Sequence, residues 1–315
     1  MSRILVVGLN PAWQKVLGFR DFRPGEVNRA QSVSALASGK GINTAKVLRR
    51  LGHEVSLLQI LGGENGRKCL ESCEAMGIRS LHAWVKADTR QCLTLLHPGA
   101  APRDDASVPG GAASGAAPWE ATEIIEPFRV EEAGISRTLL DLLPESADSF
   151  DALAICGTVP AGVDGEIYAG LLERFRPAVS VVDAWQGLGP ESLGKATCLK
   201  MNRWEYQSLM ESLGPQAAGD AMFLVTSGGG EASVLRAAGE IARLEPPRLG
   251  AVVNPIGAGD TVTAGVVHHL LLGLDAVEAF RQGMAMGSAS CLERLPAEYK
   301  DEEARRLLPL VRAPS

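Results

Sequence analysis

Short aliphatic runs alternate with longer segments of helical period through most of the chain, and this alternation limits the available folds more than any other feature. Ile4 to Leu9, Val55 to Leu61, Ala152 to Cys156, Val179 to Asp183, Met222 to Thr226 and Ala251 to Val253 read as strands. Ile42 to Leu51, Arg67 to Met76, Glu131 to Leu143, Gly165 to Phe175 and Tyr206 to Leu213 read as helices, several closed by Gly or Pro. Strands that are apolar throughout need cover on both faces. The pattern therefore predicts an α/β fold, a doubly wound, mostly parallel sheet flanked by helices. From Asp260 onward the chain reads as helices only: through Leu272, Asp275 to Ser290 and Asp301 to Val311.

Two regions break the rhythm. Residues 13–33 alternate apolar with polar residues around a turn at Pro24 and Gly25, and 90–97 and 119–126 look similar, which predicts a small accessory sheet of four strands. The expected division is a first core strand in 1–10, accessory strands in 11–34 and 89–128, and α/β core in 35–88 and 129–315. Between the last two accessory strands lies a Gly/Ala/Pro insert, 98–118, whose only sizeable apolar residue is Val108; it is expected to be a flexible spacer.

At 315 residues with a formal charge of −6, the chain carries no basic run to follow a nucleic-acid backbone. Its six cysteines form no CxxC pair and read as reduced core thiols. The N-terminal apolar run is too short for a signal peptide, and no later run has the length of a membrane span, so a cytoplasmic protein without nucleic-acid or membrane partners is expected.

Four polar clusters fall at strand ends or helix starts, where open α/β sheets place ligands. Gly39, Lys40 and Asn43 lie in SGKGIN, which reads as an ordinary turn or as a glycine-flanked anion cradle at a helix N-terminus. Arg90 in DTRQC reads as a solvated cation or as a bidentate phosphate grip. In KMNRWE, Lys200 precedes Asn202 and Glu205, which are spaced as a capping box or as oxygen ligands near a magnesium ion. Thr226, Gly228 and Gly229 in VTSGGG read as a hairpin turn or as a wall for nucleotide phosphates. A fifth stretch, NPIGAGDTVTAG, sets Gly257, Ala258 and Gly259 before Asp260. Amides converging beside a carboxylate suit phosphoryl transfer to an alcohol, with Asp260 accepting the hydroxyl proton. The helix dipole predicts an ionised, weak base, and bare glycines predict open space for the phosphoryl group.

These motifs, taken in order, resemble the ribokinase and phosphofructokinase-B family of sugar kinases, through LNPAW, SGKGINTAKVLRRLG, Gly62 and Gly63, TRQ, CGTVPAGV, VVDA, KMNRWE, VTSGGG and GAGDTVTAG. The resemblance implies a ribokinase-like fold with a β-sheet lid that also clasps a homodimer. It further implies ATP and Mg2+ as cofactors, Asp260 as base with an anion hole at Gly257, Ala258 and Gly259, and Asn202 and Glu205 acting on magnesium through water. Lys200, Asn202, Thr226, Gly228 and Gly229 would line the nucleotide. GKGIN with TR is similar to the branch that phosphorylates ketohexose phosphates (fructose-1-phosphate, fructose-6-phosphate or tagatose-6-phosphate), which implies substrate contacts at Gln14, Gly39, Lys40, Asn43 and Arg90. The chain departs from that branch at Gln14, where Asp is usual, at Asn254 and Pro255, at Met201 and at Glu231. An amide donates as well as accepts, so Gln14 alters hydroxyl recognition. A sugar-phosphate-binding regulator is the alternative reading; a dinucleotide oxidoreductase fails because NPAWQ, not GxGxxG, follows the first strand.

Overall fold

The computed structural model describes residues 1–99, 119–236 and 239–313. The expected flexible spacer lies almost wholly in 100–118, outside the described residues. In chain order the elements are β1 (Arg3–Val7), β2 (Ala12–Gly18), β3 (Ser32–Ser38), α1 (Lys40–Arg50), β4 (Glu54–Gly62), α2 (Gly63–Ala75), β5 (Arg79–Val85), β6 (Gln91–Pro98) and β7 (Trp119–Ile125). There follow α3 (Ile135–Asp141), β8 (Ala152–Cys156), α4 (Ile167–Arg174), β9 (Val179–Asp183), α5 (Pro190–Leu193), β10 (Cys198–Asn202), α6 (Arg203–Leu213) and β11 (Phe223–Ser227). The chain closes with β12 (Gly230–Arg236), β13 (Gly239–Leu244), α7 (Ala258–Leu271), α8 (Ala276–Ser290) and α9 (Asp301–Leu307).

The large sheet has the order β13-β12-β11-β10-β9-β8-β1-β4-β5, parallel except for the antiparallel edge β11-β12-β13. Alternation along β1 shows how it is wound. Ile4 and Val6 join the core formed with Ile42 and Leu48 of α1 and Val262 and Val266 of α7, whereas Leu5 and Val7 join Leu139, Leu171 and Leu209 on the other face. Strand order reverses direction between β1 and β8, which puts a crevice at the carboxyl ends of these strands. There Asn10 Nδ2 donates to Thr158 Oγ1 at 3.0 Å, across the crevice.

The four accessory strands form their own sheet, β3-β2-β6-β7, with β2 and β6 parallel and the other pairs antiparallel. Its strand β3 lies mostly beyond the expected 13–33 and crosses the expected boundary at 34: it runs from Ser32 to Ser38, one residue before α1, so the sheet is anchored at the mouth of the crevice.

Two expectations are corrected. Ala251 to Val253 form no strand, because the N–H groups of Val253 and Asn254 both donate to Cys291 O at the end of α8. The sheet edge is made instead by β12 and β13, a hairpin. The helix expected over Glu131–Leu143 is shorter, starting at Ile135 after Gly134 in the left-handed region. All six cysteines are free thiols, and among the described residues no helix is long and apolar enough to cross a membrane.

Candidate active site

Lysine 40 opens α1 and Asp260 lies in the first turn of α7, two helices packed side by side on one face of the sheet. Between them Asn43 Nδ2 donates to Asp260 Oδ2 at 2.7 Å, and Ser38 Oγ donates to Asn43 Oδ1 at 3.2 Å, which fixes the amide's orientation. Asp260 is buried, 7 % exposed. Burial first, and then the charge of Asp183, push its carboxyl up from the ordinary 3.8 to about 6, against the opposing pull of Lys40, Asn43 and Lys200. This corrects the expected weak base: desolvation and the nearby Asp183 charge together outweigh the helix dipole.

Gly257 and Gly259 both line a cavity that Asp260 also lines, and each meets a further constraint. Gly257, the N-cap of α7, has φ 80°, and a Cβ there would stand 2.6 Å from Ala297 N, so the backbone conformation and the neighbouring loop exclude a side chain. At Gly259 the nearest atom to a Cβ would be Lys200 Nζ, at 3.0 Å, so its bareness lets an ammonium sit against the turn. Ala258 is the first residue of the helix.

That ammonium belongs to a network the sequence reading left without a role. Asp183, at the carboxyl end of β9 and 1 % exposed, accepts from Lys40 Nζ at 2.8 Å, Lys200 Nζ at 2.9 Å and Thr263 Oγ1 at 2.6 Å. Burial would raise its carboxyl, but Lys200 and Lys40 outweigh it and hold it well below the usual carboxylate range. Burial likewise opposes the charge of Lys40, and Asp183 and Glu205 more than restore it, raising Lys40 above its ordinary value. The available signal was a lone carboxylate closing an apolar strand, VSVVD.

Of the other sequence-derived residues, Asn202 and Glu205 form a full capping box: Glu205 N donates to Asn202 Oδ1 and Asn202 N to Glu205 Oε2, both at 2.8 Å. Glu205 Oε1 also accepts from Lys40 Nζ at 3.0 Å. Gly228 and Gly229 turn the hairpin between β11 and β12, with Thr226 beside them on β11. Gln14 is buried and its Nε2 donates to Thr94 Oγ1 at 2.6 Å. Arg90 is half-buried, with Nη2 donating to Asn10 O at 3.1 Å, so it is not a free surface cation.

A cavity of about 570 Å³ gathers Gln14, Gly39, Lys40, Asn43, Arg90 and Asp260, together with Lys200, Asn202 and Glu205. A second, of about 510 Å³, is walled by Leu249, Val252, Val262 and Met284, and the two share Thr226, Gly228, Pro255 and Gly259. A polar, charged chamber thus meets an apolar one at the start of α7. Gly229 lines only the second. Among the described residues no three His, Cys, Asp or Glu side chains cluster to hold a metal ion.

The pfkB family carbohydrate kinase pattern matches residues 1–302. The chain belongs to the pfkB family of carbohydrate kinases. Similarity extends to a 1-phosphofructokinase of Rhodobacter capsulatus, 29 % identical over 298 residues, which covers 90 % of this chain and 88 % of that one. The fold is shared with a possible 1-phosphofructokinase of Thermotoga maritima, at TM-score 0.77 and 18 % identity over 98 % of both chains. It is also shared with the ribokinase of Thermotoga maritima, at TM-score 0.69 and 18 % identity over 98 % of this chain and 100 % of that one. The fold is therefore ribokinase-like, and the chain is a sugar kinase whose family membership implies ATP as donor.

Proposed function

We propose that this carbohydrate kinase transfers the γ-phosphoryl group of ATP to a hydroxyl of a ketohexose phosphate, with Asp260 as the base. The observation that carries the proposal is the position of Asp260: buried, tethered by Asn43, and set where the charged and apolar chambers join. A carboxyl near 6 is an effective proton acceptor at neutral pH, stronger than an ordinary aspartate and still ionised. The amides of Gly257 and Gly259 and the Lys200 ammonium, which sits against Gly259, would hold negative charge on the moving phosphoryl group, whereas the Ala258 amide already donates to Pro255 O at 3.3 Å and would have to exchange that partner.

The apolar chamber suits a nucleobase, and the hairpin turn at Gly228 and Gly229 suits its phosphates. Magnesium, when bound, would neutralise phosphate charge. The residues present fit a water-mediated site: Glu205 and Asn202 face the chamber, but their side chains are already engaged in the cap, so they would reach the ion through water. Arg90 and Lys40 would take the sugar's existing phosphate; two of the three Lys40 donors are spent on Asp183 and Glu205, leaving one. Gln14, Gly39 and Asn43 would meet its hydroxyls. The accessory sheet would act as the lid, and the exposed Val33 and Ile124, on its face away from the cavity, favour a homodimer clasp.

The direct test is ADP release on fructose-1-phosphate, fructose-6-phosphate and tagatose-6-phosphate. Sugar-dependent turnover with at least one is expected. Tight sugar-phosphate binding without turnover on any of them would favour a regulator and defeat the proposal.

A further inference from the structure

One lid residue that the sequence reading did not single out faces the reacting groups. Glu123 lies on β7 opposite Thr94, two residues from Ile125, and both Glu123 and Ile125 line the charged cavity with Gln14 and Cys92. On this face Gln14 has turned its amide N–H sideways to Thr94, which itself is fully buried. Among the described residues the lid offers the cavity one carboxylate, that of Glu123. Resting on the reading above, that a phosphorylated ketose occupies this chamber, we propose that Glu123 is a specificity-determining residue that accepts hydrogen bonds from the ketose hydroxyls.

Position and charge support this role. Glu123 stands on an exposed stretch of β7, where the surrounding protein and the charge of Asp260 push its carboxyl up and Arg90 only partly offsets them, so its oxygens are open to donors from a ligand in the chamber. A polyol supplies neutral donors where a second anion would be repelled. Arg90 and Glu123 then give the ligand a direction: phosphate toward the guanidinium, hydroxyls toward the carboxylate, and the acceptor hydroxyl toward Asp260. A pocket built to hydrogen-bond a hydroxyl rejects an analogue lacking it more strongly than an apolar pocket rejects a missing methylene.

The test uses the full chain with Glu123→Gln, Glu123→Ala and Glu123→Asp, on the ketohexose phosphate that wild type uses best and on its deoxy analogues. The alanine and glutamine variants should lose about 10- to 100-fold in kcat/KM for the sugar, mostly through KM. Their KM for ATP and their melting temperature should be unchanged, aspartate should restore part of the loss, and one deoxy analogue should be insensitive to the substitution. Wild-type turnover with no change of sugar KM in either variant, or equal losses for sugar and ATP, would overturn the assignment of Glu123 alone. A wild type inactive on every phosphorylated ketose would overturn the underlying function, and this assignment with it.

Discussion

The two walls of the charged chamber differ in how far their polar groups are already committed. On the core wall, Asp183 takes three donors, Lys200 is buried against it, Asn43 is fixed by Ser38, and Glu205 completes a helix cap while pairing with Lys40. On the lid wall, Arg90 spends part of its fork on backbone carbonyls, Gln14 makes one side-chain bond, and Glu123 lines the cavity from an exposed stretch of β7. A saturated wall gains nothing by moving and is preorganised for charge developing in the reaction. The other has capacity to spare and can discriminate among ligands.

The contrast is sharpened most by Asp260→Asn. Proton transfer by a positioned side chain contributes about 10²- to 10⁴-fold, so sugar-dependent turnover should fall by that order while calorimetry still shows nucleotide binding. Core-wall commitment should also appear as stability. Asp183→Ala leaves Lys200, 4 % exposed, without its counter-ion, and should cost about 3 to 5 kcal/mol in denaturant unfolding. The lid wall should behave oppositely: Arg90→Ala is expected to raise the sugar KM by about tenfold or more, with the ATP KM and the unfolding midpoint nearly unchanged. Equal effects on both Michaelis constants would erase the division between walls.

A smaller effect has the reverse sign on stability. The folded-state carboxyl of Asp260 lies above its unfolded value, so the folded form binds the proton more tightly. Its stabilising share is complete below the ordinary 3.8 and is lost as pH rises through about 6. Asp260→Asn should therefore melt higher than wild type at pH above about 7, by up to about 3 kcal/mol in free energy, and the gain should vanish in acid. A variant less stable at neutral pH would mean that the carboxylate is held more favourably than its burial implies.

Much of the framework was legible because the strands are buried on both faces, which makes them continuous apolar runs such as ALAIC and VSVVD. The Asn202 to Glu205 cap was legible because its chemistry is local. Asp183 was not, because its partners Lys40 and Thr263 are 143 and 80 residues away, and only the sheet order brings them together. Asp260's basicity was misjudged for the same reason: the local signal was a helix start, whereas the deciding terms are burial and a distant carboxylate. Ala251 to Val253 have the composition of a strand, but the N–H groups of Val253 and of Asn254 after it go to Cys291 O.

The most direct measurement is kcat at saturating ATP and sugar phosphate from about pH 5 to about pH 9, for wild type and Asp260→Asn. Wild-type kcat should fall in inverse proportion to proton activity as the pH drops below about 6 and level off above it, because protonation removes the acceptor. The residual rate of the variant should show no such limb. A wild-type profile flat through pH 6, or the same limb in the variant, would contradict the placement of the proton on Asp260.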